Sequence, residues 1–210
     1  MSELINGQII YNSELGKIIS DIVKQDNIKN IVEIGTWYGM GTTHCIRKAI
    51  IDSDKKNYEV FSFESCLDMW KVAIENNQPI LPNFKILLGG IVEEKDFFDF
   101  NSIDDKYFSE YSRAVQKKWY DEDLKNCKIN SNYFAILPQK IDLLILDGGE
   151  FSTYGEYNLL KNRFNYLIVD DTKALKGDKI REELLVSNDV LIIQDEINKR
   201  NGFLTCRRKV

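Results

Sequence analysis

Apolar positions along the chain fall into two alternating patterns. From Ser13 to Gln25, residues Leu15, Ile18, Ile19, Ile22 and Val23 recur at intervals of three and four, as on one face of a helix. Asn12 or Ser13 is placed to cap it. Short, uninterrupted apolar runs then occur at 31–34, 60–63, 84–88, 141–146, 166–169 and 190–193, the pattern of strands buried on both faces. Helices are expected between most of them, over 42–51, 67–76, 153–163 and 177–186. Strands alternating with helices need crossover connections, and so imply a mostly parallel sheet covered on both faces. A last run, Phe203 to Arg207, is expected to pair back beside 190–193. The reading is a single α/β domain over residues 1–210, with seven strands.

One segment breaks the rhythm. Between Gly90 and Pro138 the chain carries ten aromatic residues: Phe97, Phe98, Phe100, Tyr107, Phe108, Tyr111, Trp119, Tyr120, Tyr133 and Phe134. A connection of this length in a compact domain is usually functional or partly helical, and 104–125 is expected to be a helix. Residues at about 91–138 are therefore read as a crossover helix plus a cap over the strand ends, where open α/β sheets bind ligands. Taken one by one, most of these rings are expected simply to pack the insertion onto the domain.

Composition narrows the function. A chain of 210 residues, 43% hydrophobic and 29% charged, is ordinary globular protein with room for one core. Its formal net charge of -5 excludes nucleic acid as the default partner, since phosphate neutralisation needs a basic face. The tripeptide Arg207-Arg208-Lys209 is too short to change that. Cys45, Cys66, Cys127 and Cys206 form no CxxC pair, which argues against structural zinc or a disulfide framework. Neither a signal peptide nor an apolar stretch of transmembrane length is visible, so a cytoplasmic protein with no membrane partner is expected (host cytoplasm, if the source is viral). A homodimer is left open.

The first strand runs straight into Glu33-Ile34-Gly35-Thr36-Trp37-Tyr38-Gly39-Met40-Gly41-Thr42 and a helix. Glycines here let the backbone turn sharply and a ligand approach closely. The spacing is not the G-x-G-x-x-G that seats a pyrophosphate on a helix N-terminus, which counts against a nucleotide-binding oxidoreductase. Glu33 instead suits a cationic group such as a sulfonium or an amine. The second strand ends at Glu64, followed by Ser65; an acid there can accept both hydroxyls of a ribose. Gly89-Gly90-Ile91, after the third strand, leaves room for the edge of a base.

Glu33-Ile-Gly-x-x-x-Gly-x-Gly-Thr42, Glu64 and Gly89-Gly90 resemble the first three motifs of class I S-adenosylmethionine-dependent methyltransferases, and the strand–helix order resembles them over most of the chain. That resemblance implies a Rossmann-like α/β fold, a seven-stranded, mostly parallel sheet with helices on both faces and an antiparallel last strand. It implies that Glu33 and Gly35 hold the methionine part of the donor, that Glu64 holds the ribose, and that Gly90 and Ile91 border adenine. Thr36, Tyr38, Gly39, Thr42, Ser65 and Asp147 complete the expected donor site.

The fourth strand ends Leu146-Asp147-Gly148-Gly149-Glu150 and the fifth Val169-Asp170-Asp171-Thr172-Lys173. Neighbouring parallel strands put Asp147, Asp170 and Asp171 on one rim beside the glycine loop. Three carboxylates together call for a cation, and hard oxygen ligands favour Mg²⁺ or Mn²⁺. Such an ion would lower the pKa of a bound hydroxyl. The arrangement resembles the metal-dependent catechol-type O-methyltransferases and, more closely, the macrocin-type sugar O-methyltransferases, including those of surface-polysaccharide clusters and large DNA viruses. The implied acceptor is a sugar hydroxyl on a glycan or a deoxysugar such as rhamnose. Glu150 departs from both patterns and is a candidate general base or further metal ligand, with Asp147 as the other catalytic candidate. A metal-independent O- or N-methyltransferase of small molecules is the alternative. His44, the only histidine, is expected to be an ordinary packed residue, while Lys173 and Arg113 are candidate substrate contacts.

Overall fold

A computed structural model describes residues 9–209 of the chain. Helix α1 (Glu14–Val23) starts at Ser13, whose hydroxyl accepts from the Gly16 N–H at 3.1 Å. The chain then alternates through β1 (Asn30–Ile34), α2 (Thr42–Asp52), β2 (Glu59–Glu64), α3 (Leu67–Asn76) and β3 (Phe84–Gly90). After the insertion, which carries α4 (Arg113–Ile129) and β4 (Ser131–Asn132), come β5 (Ile141–Leu146), α5 (Thr153–Leu160), β6 (Phe164–Asp170), α6 (Leu175–Val186), β7 (Val190–Glu196) and β8 (Phe203–Arg208).

The eight strands form one sheet in the order β4-β3-β2-β1-β5-β6-β8-β7. Pairings from β4 across to β6 are all parallel, and β8 runs antiparallel to both of its neighbours. The expected seven strands are thus joined by an eighth, β4, two residues that extend the edge beside Gly89 and Gly90. The last strand does pair with β7, but it does so by inserting between β6 and β7.

Side chains alternate across the sheet, and both faces are apolar because both are covered. Ile31, Leu143 and Ile145 pack with Leu15, Ile19 and Ile46 under α1 and α2. Val32, Ile34, Leu144 and Leu146 pack on the opposite face with Tyr157, Leu160, Ile180 and Leu184 of α5 and α6. Strand order reverses between β1 and β5, the position in an open α/β sheet at which ligand clefts form.

The insertion is less helical than expected. Short 3₁₀ turns at Phe100–Ser102 and Asp105–Phe108 precede α4, which starts at Arg113. Asp104 caps the second of these turns and Ser112 caps α4. Gln116 donates its side-chain N–H groups to the Tyr107 and Tyr111 carbonyls at 2.7 and 3.2 Å, satisfying the break between the two helical pieces. Most of the aromatic residues are packing. Phe97, Phe98, Phe100, Tyr107, Phe108 and Tyr120 gather around Phe151 and Leu175, and Tyr133 and Phe134 join the main core. Tyr111 and Trp119 stay exposed, edge to face against each other.

Candidate active site

A cavity of about 640 Å³ opens at the C-terminal ends of the central parallel strands. At one end its wall is mostly backbone. The chain leaves β1 at Gly35 with φ 94°, and the N–H groups of Gly35 and Thr36 both donate to the Phe63 carbonyl at 3.0 Å. A Cβ at position 35 would lie 2.0 Å from the Asp147 carbonyl oxygen, so only glycine lets the loops after β1 and β5 touch. Glu64 closes β2 with one carboxylate oxygen accepting from the Trp37 N–H at 2.7 Å and the other from the Cys66 N–H at 2.8 Å. Each oxygen retains a further lone pair, and burial pushes this carboxyl upward from its ordinary value. Gly90 faces open space, with no atom of the described residues beyond its chain neighbours within 4 Å of where its Cβ would stand. Asn130 and Asn132 stand beside it, tied to the Ser65 and Val92 carbonyls.

Thr36, Thr42, Ser65 and Asp147 line the same cavity, whereas Tyr38, Gly39 and Ile91 do not. Glu33 also lies off the wall. It shares the sheet face of Ile31 and so points beneath α2, fully buried. There it accepts from the hydroxyls of Thr42, Thr43 and Ser62, with Thr43 at 2.9 and 3.0 Å. Burial pushes its carboxyl up to about 7. In this position Glu33 fastens the glycine loop to the start of α2 and to β2.

The opposite end is built of charge. Asp147, Asp170 and Asp171 converge as expected, offering carboxylate oxygens within 4.8 Å of one another. Asp171 adopts φ 52°, a left-handed conformation that aspartate tolerates, and lines the cavity. Two cations that the sequence did not single out stand among them. Lys176, in the first turn of α6, donates to Asp147 Oδ1 at 3.0 Å and the Gly148 carbonyl at 3.3 Å, and pairs with Asp171 Oδ2 at 2.8 Å. Arg200, in the β7–β8 connection, donates to Asp170 Oδ2 at 2.9 Å. Burial alone would lower the Lys176 pKa, but Asp147 and Asp171 hold it above its ordinary value. Burial, reinforced by Asp147 and Asp171, pushes Asp170 up to about 7.

The oxygen donor set is right for a hard cation, and Asp170 Oδ1 is buried with no partner among the described residues. Its centre, however, is filled by the Lys176 ammonium, so the residues as arranged do not fit a divalent ion as well. Glu150 does not line the cavity; its Oε1 accepts from the Lys176 backbone N–H at 3.3 Å, at the start of α6. Lys173 is likewise off the wall, and Arg113 lies over the Phe108 ring and pairs with Asp105. His44 does not reach the cavity.

A further acidic wall was not anticipated. Asp123 of α4 and Glu156 of α5 line the cavity near Gly148 and Gly149. Burial pushes Asp123 up to about 7 and Glu156 up to about 8. Glu156 Oε2 has no hydrogen-bond partner among the described residues. Among the described residues, no helix is long and apolar enough to cross a membrane.

This is the α/β Rossmann-like methyltransferase fold. A putative O-methyltransferase from Klebsiella pneumoniae superposes with a TM-score of 0.57 at 12% identity, covering 94% of this chain and 81% of its own. The SAH-bound Podospora anserina methyltransferase PaMTH1 gives 0.56 at 13% identity, covering 93% and 78%. The O-methyltransferase from Bacillus cereus in complex with SAH gives 0.54 at 13% identity, covering 93% and 80%. No protein-family model matches the chain, and no curated protein matches its sequence.

Proposed function

We propose that this protein is an S-adenosylmethionine-dependent O-methyltransferase whose acceptor is a sugar hydroxyl, on a glycan or a deoxysugar such as rhamnose. The carrying observation is one cavity that joins a bare backbone wall, at Gly35 and Gly90, to a carboxylate rim, with Glu64 between them. Glu64 keeps lone pairs for two ribose hydroxyls, and the open face of Gly90 leaves space for a flat base. The similar O-methyltransferases, two of the three methyltransferases above having been solved with SAH, support this reading of the donor.

Charge supports it as well. With every group ionised, three carboxylates against Lys176 and Arg200 leave one negative charge, which complements the single net positive charge of the donor. Bound there, the donor supplies an electrophilic methyl carbon; the acceptor oxygen bonds to it as the carbon–sulfur bond breaks, and the hydroxyl proton is released. Asp171, on the wall and within the rim, is the residue we assign to take that proton, with Asp147 beside it. Asp171, Arg200 and Asn201 offer hydrogen-bonding groups suited to a polyhydroxylated acceptor. Only Phe97 of the insertion's rings lines the cavity, so recognition of the sugar rests mainly on these polar groups.

The test is incubation with methyl-labelled S-adenosylmethionine and a panel of sugars and glycans, with and without Mg²⁺ or Mn²⁺. A labelled methyl ether on a sugar hydroxyl is the expected product. Transfer to phenols or amines alone would replace the sugar, and binding of NAD without SAH would remove the methyltransferase reading altogether. Metal assistance, expected from the three carboxylates, would require Lys176 to leave its place among them.

A further inference from the structure

Lys176 is the least expected group in the cavity. Its side chain is only 10% exposed, and its ammonium has three oxygen acceptors around it, from Asp147, Gly148 and Asp171, at 2.8 to 3.3 Å. Asp147 and Gly148 accept from this ammonium, and Asp171 pairs with its charge. Burying a cation without such partners costs several kcal/mol, roughly, and a flexible lysine would otherwise extend to solvent. Its backbone is fixed too: the Lys176 N–H donates to Glu150 Oε1, which ties the first turn of α6 to the loop after β5. Arg200 supplies a second cation to the remaining carboxylate, Asp170.

We propose that the Lys176 ammonium is the resident cation of the carboxylate rim, standing where a divalent metal would otherwise bind, and that it positions Asp147 and Asp171 on the cavity wall. A dication added to the five charged side chains would turn a net charge of minus one into plus one, which repels a cationic donor. Exchanging Lys176 for it would also strip the ammonium of three acceptors at once. Held among these three oxygens, Lys176 acts through the carboxylates and is a positioning residue. As a charged ammonium it has no lone pair with which to take the acceptor's proton.

This inference deepens the proposed function and rests on it only for the role of the rim; its test is read without methyl transfer, so the two can fail separately. Mn²⁺ is titrated into the full-length wild-type protein and followed by electron paramagnetic resonance, which distinguishes free from bound ion. The wild type is expected to leave Mn²⁺ free. Lys176→Met, which keeps the apolar stem and removes the charge, is expected to bind Mn²⁺ at least about tenfold more tightly, and Lys176→Arg to exclude it like the wild type. Any methyl transfer by the wild type should survive chelation by EDTA. Mn²⁺ binding by the wild type as tight as by Lys176→Met would overturn the proposal. Should Lys176→Met fail to fold, tight binding by the wild type would overturn it equally, and exclusion by both wild type and Lys176→Arg would support it.

Discussion

The two ends of the cavity are made differently. At the proposed donor end the wall is peptide backbone: Gly35 turned against Asp147, Gly90 bare, and the Glu64 carboxylate held by two N–H groups. At the rim the wall is side-chain charge, five ionisable groups from β5, β6, α6 and the β7–β8 connection. Backbone walls are fixed by local chain geometry and fit one rigid ligand. Charged rims depend on partners brought from distant parts of the sequence, and they can be retuned by single substitutions. A shared donor with a variable acceptor needs this division.

Several changes test it. Gly35→Ala should have the largest effect, because the new Cβ meets the Asp147 carbonyl where the two ends join and the residue keeps a left-handed φ. A loss of about 3 kcal/mol or more in urea unfolding, with loss of SAH binding, is expected. Asp171→Asn should separate the ends. Asparagine tolerates the left-handed backbone and keeps an oxygen beside Lys176, and SAH lacks the sulfonium charge, so SAH affinity should hold while kcat falls roughly 100-fold or more. Parallel losses of affinity and rate would mean that the rim also binds the donor. Glu64→Ala is the complementary change, and isothermal titration should show SAH affinity lower by about 10- to 100-fold.

A smaller effect is expected at the acidic wall. Asp123 is pushed up to about 7 by burial, with Glu122, Glu64 and Glu150 adding to it. The folded state therefore holds this proton more tightly than the unfolded chain, and stability is lost as pH rises from the ordinary carboxylate range through about 7. Asp123→Asn removes the ionisation, so the ligand-free variant should melt above the wild type near pH 8.5 and beside it near about pH 4. A Tm gain of equal size at both pH values would assign the effect to packing instead.

The same division explains what could be read from the sequence. Ser13, Gly35, Glu64 and Gly90 act through neighbours a few residues away or through one strand-end alignment, and their types carry the signal. The apolar runs gave the strands for the same reason. β4 escaped notice because Ser131 and Asn132 are polar and pair only at an edge. Glu33 carried the right chemistry but the other face: alternation along β1 sends it beneath α2, away from the ligand cavity. Lys176 and Arg200 look like any surface cations in the sequence. Arg200 reaches Asp170 only because β8 starts beside the end of β6, where Phe203 pairs with Asp170. The insertion's aromatic residues mostly pack, as their type predicts, and the greater part of them fill a small core around Phe151 and Leu175.

The central claim, a methyl donor seated on the backbone wall, is tested most directly at Gly90. Among the described residues nothing beyond its chain neighbours lies within 4 Å of its missing Cβ, so a side chain there should meet ligand before it meets protein. Calorimetric titration of SAH should show binding to the wild type and at least about tenfold weaker binding to Gly90→Leu, with the ligand-free Tm unchanged. No SAH binding by the wild type at about millimolar concentration, or equal binding by both, would contradict the account.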